Sequence, residues 1–442
     1  MKLNKIAALL AFAGIASPVL ATNGMNMEGF GPIATAMGGA SMAYDNGVAA
    51  VMNNPATLGF MASGSSRFDA ALGGLHPNVK AKMAGMPDVK SGGDAYYMPA
   101  IGYVRKDGNL SYGIGLFSQG GMGTEYSSGS LMSAGSPGDT RSELGVGRLI
   151  VPLTYQVSPD LNVGGSIDFV WATLDLKMAA STAMLGSLVT GASGMIGGAL
   201  GGLGGLNWAR IDFSDSNDFS GAAKGYGWAG KLGFTYRVNN QLTVGAAYHS
   251  KTSLSDLETG SSGASMTAGM FGGSALFADS GKIKVRNFQW PETYAVGLSY
   301  QVVPQLQIAA DVKKIVWSKV MKDFKMTYES GGMGGTVDFA LPQEWKDQTV
   351  LQLGATYMVN PQLALRAGYN GSRNPVPDSY LNALFPAIEK DHYTFGVGYA
   401  FSKASEVNGS FVYAPKVSQV SAMGITNEHS QTNWQVMYSH RF

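Results

Sequence analysis

The side chains with the greatest capacity for chemistry are sparse in this chain and are not grouped. No His-Glu-x-x-His metal motif, Gly-x-Ser-x-Gly elbow or P-loop occurs, and the absence of cysteine removes thiol nucleophiles and Cys metal ligands. A dinucleotide-like pattern at Gly225, Gly227 and Gly230 lies in a predicted strand with no helix after it, so we interpret it as chance. The five histidines show no metal-ligand spacing: His76, His249, His392, His429 and His440. We therefore expect no enzyme, no metal and no cofactor.

Composition narrows the class of protein. Only 14% of the 442 residues are charged, against roughly 25% in typical soluble proteins. Apolar residues reach 45%, yet the mean hydropathy is +0.02, so apolar residues are interleaved with small and polar ones. The net charge of +1 gives no reason to expect a nucleic-acid partner. This composition argues against a soluble protein of two or three domains.

Residues 1–21 have the pattern of a cleaved secretory signal peptide. Lys2 and Lys5 form a basic start, residues 6–16 are apolar, and Ala21 ends a small-residue cleavage site. An uncleaved anchor helix is the alternative, but the apolar run is too short to span a bilayer. The mature chain has no run of 18 apolar residues. An exported chain of this kind can still span a membrane as a closed β-barrel, in which all backbone polar groups are paired.

The mature sequence repeatedly alternates outward apolar residues with inward polar or small ones, as barrel strands do. The alternation is clear in residues 226–238, 351–359 and 392–401. A Tyr also stands two residues before a Val at four tight turns: Tyr155, Tyr236, Tyr300 and Tyr357. Such a ring of Tyr is expected where a barrel meets the membrane interface. A soluble β-sandwich would have similar hairpins but would not explain this shared offset.

Six tight turns predict an all-β membrane protein, a 14-stranded antiparallel transmembrane β-barrel over residues 66–442. Short turns and both chain termini then face the periplasm, long loops face outside, and nothing demands more than a monomer. The final strand ends at Phe442, which looks like the address read by the barrel assembly machinery. The predicted strands begin at Ser66, Ala95, Asn109, Gly147, Leu161, Ala223, Gln241, Lys282, Gln305, Lys346, Gln362, Asp391, Ser405 and Gln431.

Residues 22–65 lack strand alternation and are rich in Gly, Ala, Met and Asn. We interpret them as a small, mostly helical N-terminal hatch that plugs the lumen. Within it Asn54 suits a helix cap, Pro55 suits the first helical position, and Ala56 follows. A disordered periplasmic leader is the alternative, which the low charge and apolar content disfavour.

Two predicted outside loops are unusually apolar. Residues 178–206 contain no charge, and residues 259–281 contain one, Asp279. Exposed apolar patches usually mark a binding surface, and Met adapts to varied apolar shapes. We therefore predict a ligand-capture groove between the loops; loops packed only against each other are the alternative. The candidate contacts are Met184, Leu185, Leu188, Met195, Met266, Met270, Phe271 and Phe277.

Two inward-facing arginines are candidate partners for a carboxylate ligand. Arg148 faces inward because its neighbours Leu149 and Val151 alternate outward, and Arg366 faces inward because Leu365 and Ala367 do. A guanidinium can hold a carboxylate through two hydrogen bonds. The alternative is that both arginines are ordinary lumen charges in salt bridges.

Short motifs follow one another along the mature chain. They are Gly38-Gly39-Ala40, Asn53-Asn54-Pro55-Ala56, Gly123-Thr124-Glu125-Tyr126, Trp317-Ser318, and the segments 341–347, 365–369 and 375–378. In order and spacing they resemble the FadL/TodX family of outer-membrane transporters for long-chain fatty acids and hydrocarbons. The resemblance covers essentially the whole mature chain, but the two apolar loops are variable regions, so the ligand stays undetermined.

The resemblance implies a passive channel. A hydrophobic molecule is captured at the apolar loops, moves into a pocket bounded by the hatch, and leaves sideways into lipid through a gap made by an inward kink of strand three. Gly120, Gly121 and Gly123 suit that kink. The expected partners are fatty acids, alkanes or aromatics, together with lipopolysaccharide and outer-membrane lipid.

Other functions remain open at this point. A general diffusion porin should show charged lumen loops, and an adhesin should have long polar loops. A membrane-embedded lipase would need a Ser, a His and an orienting polar residue, and nothing in the sequence favours one.

Overall fold

A single antiparallel sheet closed on itself dominates the fold. The computed structural model describes residues 23–217 and 220–442, so the predicted signal peptide lies outside the described residues. These residues form one sheet of 23 strands, and the last strand pairs with the first from Arg67–Arg441 to Lys82–Thr426. Tight turns lie at one end of the sheet, the short-turn end, and long connections lie at the other, the long-loop end. No helix of the described part is both long and apolar enough to cross a membrane.

The strands of this sheet have the following bounds. They are β1 Ser66–Lys82, β2 Val89–Lys90, β3 Tyr96–Asp107, β4 Leu110–Tyr126, β5 Thr140–Gln156, β6 Leu161–Ser181, β7 Val189–Ala192, β8 Trp208–Phe213, β9 Ala223–Arg237, β10 Leu242–His249, β11 Ser253–Leu254, β12 Leu257–Glu258, β13 Ala264–Gly269, β14 Ala275–Arg286, β15 Thr293–Val303, β16 Leu306–Ile315, β17 Asp323–Ser330, β18 Thr336–Pro342, β19 Gln348–Met358, β20 Leu363–Ser372, β21 Asp391–Ala400, β22 Ser405–Val420 and β23 Thr426–Arg441.

The helical elements are short. The α-helices are α1 Pro32–Ala36, α2 Thr182–Ser187 and α3 Gly194–Leu200. The 3-10 helices are Val48–Val51, Pro55–Phe60, Leu131–Ser133, Gly201–Gly205, Trp317–Lys319 and Asp378–Tyr380.

The prediction of a 14-stranded barrel is wrong. Among the described residues the pairings close a ring of 18 strands, because β8, β13, β14 and β12 join the ring between β6 and β9. Nearer the short-turn end β6 also pairs directly with β9, from Leu161–Tyr236 to Leu174–Ala223, so the four additional strands are confined to the long-loop end. β8, β12, β13 and the first part of β14 fall in predicted loops, because strands beyond the lipid need no apolar outer face and so lack the alternation that identifies wall strands.

The predicted start of the eighth wall strand at Lys282 is also corrected. The strand that pairs with β10 is β15, which begins at Thr293. Lys282 lies instead in β14, where its ammonium pairs with the Glu258 carboxylate. The alternation of Ile283 and Val285 with basic residues looked like a wall strand, but these basic side chains form ion pairs with neighbouring strands.

Wall strands expose one face and bury the other, as their alternation predicts. In β21, Tyr393, Phe395 and Val397 are exposed, whereas His392 and Thr394 are fully buried. Of the four turn tyrosines, three are exposed on the outer surface and Tyr300 is half-buried. A continuous set of outward apolar side chains is favourable only where the outer surface contacts lipid. This pattern is therefore that of a membrane barrel.

Residues 23–65, the N-terminal segment, are enclosed by the wall. The segment is almost entirely buried, and it hydrogen-bonds to inward side chains of several strands. Asp311 of β16 accepts from the backbone N–H groups of Ser41 and Met42 at 2.6 and 3.1 Å, and Asp69 of β1 accepts from Val48 at 2.7 Å. A buried backbone N–H group without an acceptor would cost about 1–3 kcal/mol. Two wall carboxylates therefore fix the backbone of the segment.

Asp311→Leu should destabilise the protein by about 3 kcal/mol, because it leaves two buried N–H groups without their acceptor. The free energy of unfolding is measured by urea titration of the protein in detergent micelles. Asp160→Leu, at an exposed turn where the ion pair with Arg237 is 3.7 Å long, is the control and should cost less than about 1 kcal/mol. Equal unfolding midpoints for the two variants would contradict the anchoring role.

Candidate transport site

The wall has an opening between β3 and β4. In the part of the chain that the structure describes, the pairing of these strands ends at Ala100 and Phe117. Beyond that point Tyr96–Pro99 still pairs with β1, and Gly120 onward pairs with β5 after a register shift at Ser118–Gly120. Closer to the long-loop end, the Gly92 N–H donates to the Glu125 carbonyl at 2.7 Å. The opening, here called the wall window, is thus bounded on all four sides.

The N-terminal segment reaches the wall window from inside. The Gly121 N–H donates to the Met25 carbonyl at 3.2 Å, and Asn26 forms a backbone bridge with Gly120. A Cβ atom on Gly120 would lie 2.2 Å from the Met25 oxygen, so only glycine permits this approach. The structure therefore places the glycines of the predicted kink, Gly120, Gly121 and Gly123, along the inward-bent part of β4.

A cavity of about 400 Å³ lies behind the wall window. Met25 and Met27 of the N-terminal segment line its inner side, whereas Tyr97 and Pro99 are exposed on the outer surface of the barrel and also line it. Trp171 of β6 contributes an aromatic wall. The cavity thus reaches from the interior of the barrel to the lipid-facing side through the sheet.

One end of this cavity is polar. Glu28, Glu389, His429 and Gln431 line it there, and Glu28 and His429 are only 1% and 6% exposed. Burial raises the pKa of Glu28, and the neighbouring Glu389 carboxylate raises it further. None of the described residues that line the cavity is a lysine or an arginine. The cavity lining therefore offers hydrogen-bonding groups, and His429 lies 3.4 Å from the Glu389 carboxyl group.

The connection of residues 373–390 closes the cavity from the long-loop end. The Tyr126 hydroxyl donates to the Ala383 carbonyl at 3.0 Å, and the Thr124 hydroxyl donates to the Leu384 carbonyl at 3.1 Å. This connection brings Ala387 and Glu389 to the cavity. Residues 381–388 of this connection are mostly apolar and carry no charge. The sequence thus contains a signal for this part of the site.

The predicted hatch motif lies elsewhere, against β5, β6 and β9. Asn54 caps the 3-10 helix that Pro55 begins, since its side-chain oxygen accepts from the Ala56 N–H at 3.1 Å. The Asn54 amide also donates to the carbonyls of Met42 and Phe234, at 2.8 and 3.1 Å. The motif thus links two parts of the N-terminal segment to each other and links the segment to the wall.

β8, which follows the first apolar loop, pairs with β13 in the second. Of their predicted capture residues, Met184, Met195, Met270 and Phe271 are exposed, and Phe271 is 77% exposed. Leu185 and Met266 are buried in the core, so their prediction as ligand contacts does not fit the surface of this structure. Leu188 and Phe277 are partly buried and pack against that core.

Neither predicted carboxylate partner lines the cavity behind the wall window. Arg148 is buried and donates to Asp168 at 2.8 Å, and Lys231 pairs with the same carboxylate. Arg366 lines a separate cavity of about 220 Å³ at the short-turn end and donates to Asn408 at 2.9 Å. Arg148 therefore forms a salt bridge inside the barrel, which is the alternative to a role as carboxylate partner.

Comparison with known proteins identifies the family. The model of the outer membrane protein transport protein family (OMPP1/FadL/TodX) matches residues 12–439. The chain belongs to this family. The toluene transporter TodX of Pseudomonas putida is 33% identical, with a TM-score of 0.83 over 94% of this chain and 99% of that one. The toluene transporter TbuX of Ralstonia pickettii is 32% identical, with a TM-score of 0.78 over the same shares of the chains.

A curated relative supports the location in the outer membrane. Outer membrane protein P1 of Haemophilus influenzae is 24% identical over 192 residues, which is 43% of this chain and 38% of that protein. The chain spans about two fifths of the length of the curated relatives that it matches. The predicted FadL/TodX membership is confirmed, and this member of the family is an outer-membrane β-barrel.

Gly120→Val should displace Met25 from the wall window of this family member, because the new side chain and the Met25 carbonyl cannot occupy the same space. Since the chain has no cysteine, one cysteine introduced at Met25 reports the displacement through faster maleimide labelling. Gly202→Val, where a Cβ meets nothing within 4 Å, is the control and should leave the labelling rate unchanged. Identical rates in both variants would exclude the predicted steric conflict.

Proposed function

We propose that this protein is a passive outer-membrane channel for small hydrophobic compounds, which enter at the long-loop end and leave sideways through the wall window. The observation that carries the proposal is the cavity of about 400 Å³ lined both by the N-terminal segment and by lipid-facing residues of β3. The transporters TodX and TbuX are named for toluene, which is therefore the first compound to test.

Capture is assigned to the exposed apolar residues of the two loops, Met184, Met195, Met270 and Phe271. They lie beside the apolar cluster that continues through Met25 and Tyr126 toward the cavity. Burying an apolar ligand gains about 25 cal/mol per Å² removed from water, which favours passage along this cluster without an energy source. We still predict that lipopolysaccharide surrounds these loops. We also still predict that the barrel assembly machinery binds the last strand, which ends near Phe442.

Lateral exit is assigned to the wall window. Ser118 stands about ten residues from the tight turn at Gly108, and 9–11 residues of tilted strand span the hydrocarbon region. The wall window therefore lies at the level of the outer leaflet. An apolar molecule gains nothing by crossing polar contacts toward the periplasm when lipid lies beside its cavity.

Gating is assigned to the N-terminal segment, residues 23–65, as the hatch. Its residues 24–28 line the inner side of the cavity, and its Met25 carbonyl holds Gly121 of β4. A shift of residues 24–28 would enlarge the route from the cavity to the wall window. Asn54, Pro55 and Ala56 hold the other end of the same segment.

Uptake by cells tests the channel function against a general diffusion porin or a structural barrel. Cells with and without the gene are compared for uptake of labelled toluene, oleate and a small sugar. Faster toluene or oleate uptake with the gene, without a change for the sugar, is expected. A change for the sugar alone would favour the porin, and no change for any compound would favour a structural or adhesive barrel.

A disulfide that closes the wall window should block transport. Continuing the β3–β4 register beyond Ala100–Phe117 would place Pro99 opposite Ser118, so Pro99→Cys with Ser118→Cys can cross-link only a closed wall. Oxidation should reduce toluene uptake to the level of cells without the gene, and a reductant should restore it. Ala100→Cys with Phe117→Cys, at positions already paired, is the control. Full uptake by the cross-linked Pro99–Ser118 variant would refute lateral exit.

Asn54→Leu should slow toluene uptake without preventing assembly, because the bulkier side chain crowds Gly233 and removes the bonds to Met42 and Phe234. Initial uptake rates are compared at equal amounts of heat-modifiable barrel in the membrane. Ala62→Leu, at an exposed position of the same segment, is the matched control. An unchanged rate in Asn54→Leu would remove the gating role of this motif.

A further inference from the structure

The backbone hydrogen bonds of β3 show which of its residues face β4. The Lys106 N–H donates to the Ser65 carbonyl at 3.0 Å, and the Lys106 carbonyl accepts from the Gly64 N–H at 2.8 Å, so Lys106 faces the β1 side. Successive residues of an antiparallel strand face opposite neighbours, and the described pairings of β3 with β1 and with β4 contain no register shift. Even-numbered residues of β3 therefore face β1, and odd-numbered residues face β4.

Pro99 is the odd-numbered residue at the edge of the wall window. The register that ends at Ala100–Phe117 would place it opposite Ser118, so its ring nitrogen faces β4 at the first position where these strands no longer pair. Proline has no N–H group to donate there. The pairing with β1 is unaffected and continues past Pro99 to Tyr96. Pro99 thus withholds a hydrogen bond from β4 alone.

Pro152 of β5 has the same relation to β4 from the other side. The Gln156 N–H donates to the Asn109 carbonyl at 2.8 Å, so even-numbered residues of β5 face β4, and Pro152 faces Gly113. Among the described pairings of β4 with β5, those of Pro152 and of the adjacent Val151 are missing, although the pairs on both sides of them are present. A proline that faces β4 therefore coincides with a break in pairing here as well.

We propose that Pro99 holds the wall window open, because it denies β4 the donor with which the two strands would otherwise continue to pair. It is a positioning residue for lateral exit, so the inference rests on the proposed function. With an N–H group at position 99, the register provides the Ser118 carbonyl as its acceptor, and leaving that N–H unpaired beside lipid is strongly unfavourable. Formation of this pair narrows the opening through which the ligand leaves.

Pro99→Val restores the N–H group in a residue type that suits a lipid-facing strand. One backbone hydrogen bond corresponds to about tenfold in an equilibrium, so toluene uptake by cells should fall about tenfold at equal amounts of folded barrel. In the purified full mature protein in detergent, the new amide at position 99 should exchange with deuterium as slowly as that of Ile101, which faces β4 and is paired with Leu116. Rapid exchange at position 99, or unchanged uptake, would overturn the role of Pro99.

Pro152→Val is the matched control, because it also adds an N–H group that faces β4, but nearer the short-turn end than the wall window. Its new amide should be protected as well, and toluene uptake should stay unchanged. An equal loss of uptake in Pro152→Val would assign the effect to stiffening of β4 and overturn the role of Pro99 at the opening. The reduced form of the Pro99→Cys and Ser118→Cys variant also has an N–H group at position 99, so its uptake should match that of Pro99→Val, and oxidation should lower it further.

The outcomes separate this inference from the proposed function. If toluene uptake depends on the gene but is the same in Pro99→Val, the role of Pro99 is wrong and the channel function stands. If uptake does not depend on the gene, the channel function fails, and the role of Pro99 in lateral exit fails with it. In that case the exchange rate of the amide at position 99 still decides whether the proline keeps the two strands apart.

Discussion

Backbone hydrogen bonding in lipid is the constraint on which the rest of this structure depends. Water is absent from the hydrocarbon region, so every N–H and C=O group there must be paired within the protein, and a sheet must close. The long pairing of β23 with β1 provides the closure. The wall window interrupts the pairing of β3 with β4, and there the Met25 carbonyl receives the Gly121 N–H in place of a neighbouring strand.

This substitution explains why the N-terminal segment must lie inside the barrel. A strand that bends away from its neighbour needs another backbone to pair with, and residues 25–26 supply it. The same residues then form the inner side of the cavity, so the cavity and the wall window share one structural origin. The carboxylates of Asp311 and Asp69 hold the following part of the segment in register with the wall.

Much of this arrangement could be predicted from the sequence, but only where lipid imposes a pattern. The outward faces, the tight turns, the Asn54 cap and the glycines of β4 each follow from a local rule about residue type. The additional strands β8, β12 and β13 could not be counted, because they lie outside the lipid and have no required outer face, and β14 was mistaken for the wall strand β15. The cavity residues Glu28, Glu389 and His429 are far apart in sequence, and only closure of the sheet and folding of residues 373–390 bring them together.

The distribution of polar contacts decides which way an apolar ligand can leave the cavity at low cost. Toward the periplasm the route passes the ion pair of Asp45 with Arg67 and the backbone bonds of Asp311, and a ligand there would displace them without replacing their hydrogen bonds. Breaking one buried bond of this kind costs about 1–3 kcal/mol. Toward the wall window the route passes Tyr97 and Pro99, which are exposed on the outer surface of the barrel, and ends in hydrocarbon. Within the proposed function, these contacts favour the sideways route for a ligand that cannot make hydrogen bonds of its own.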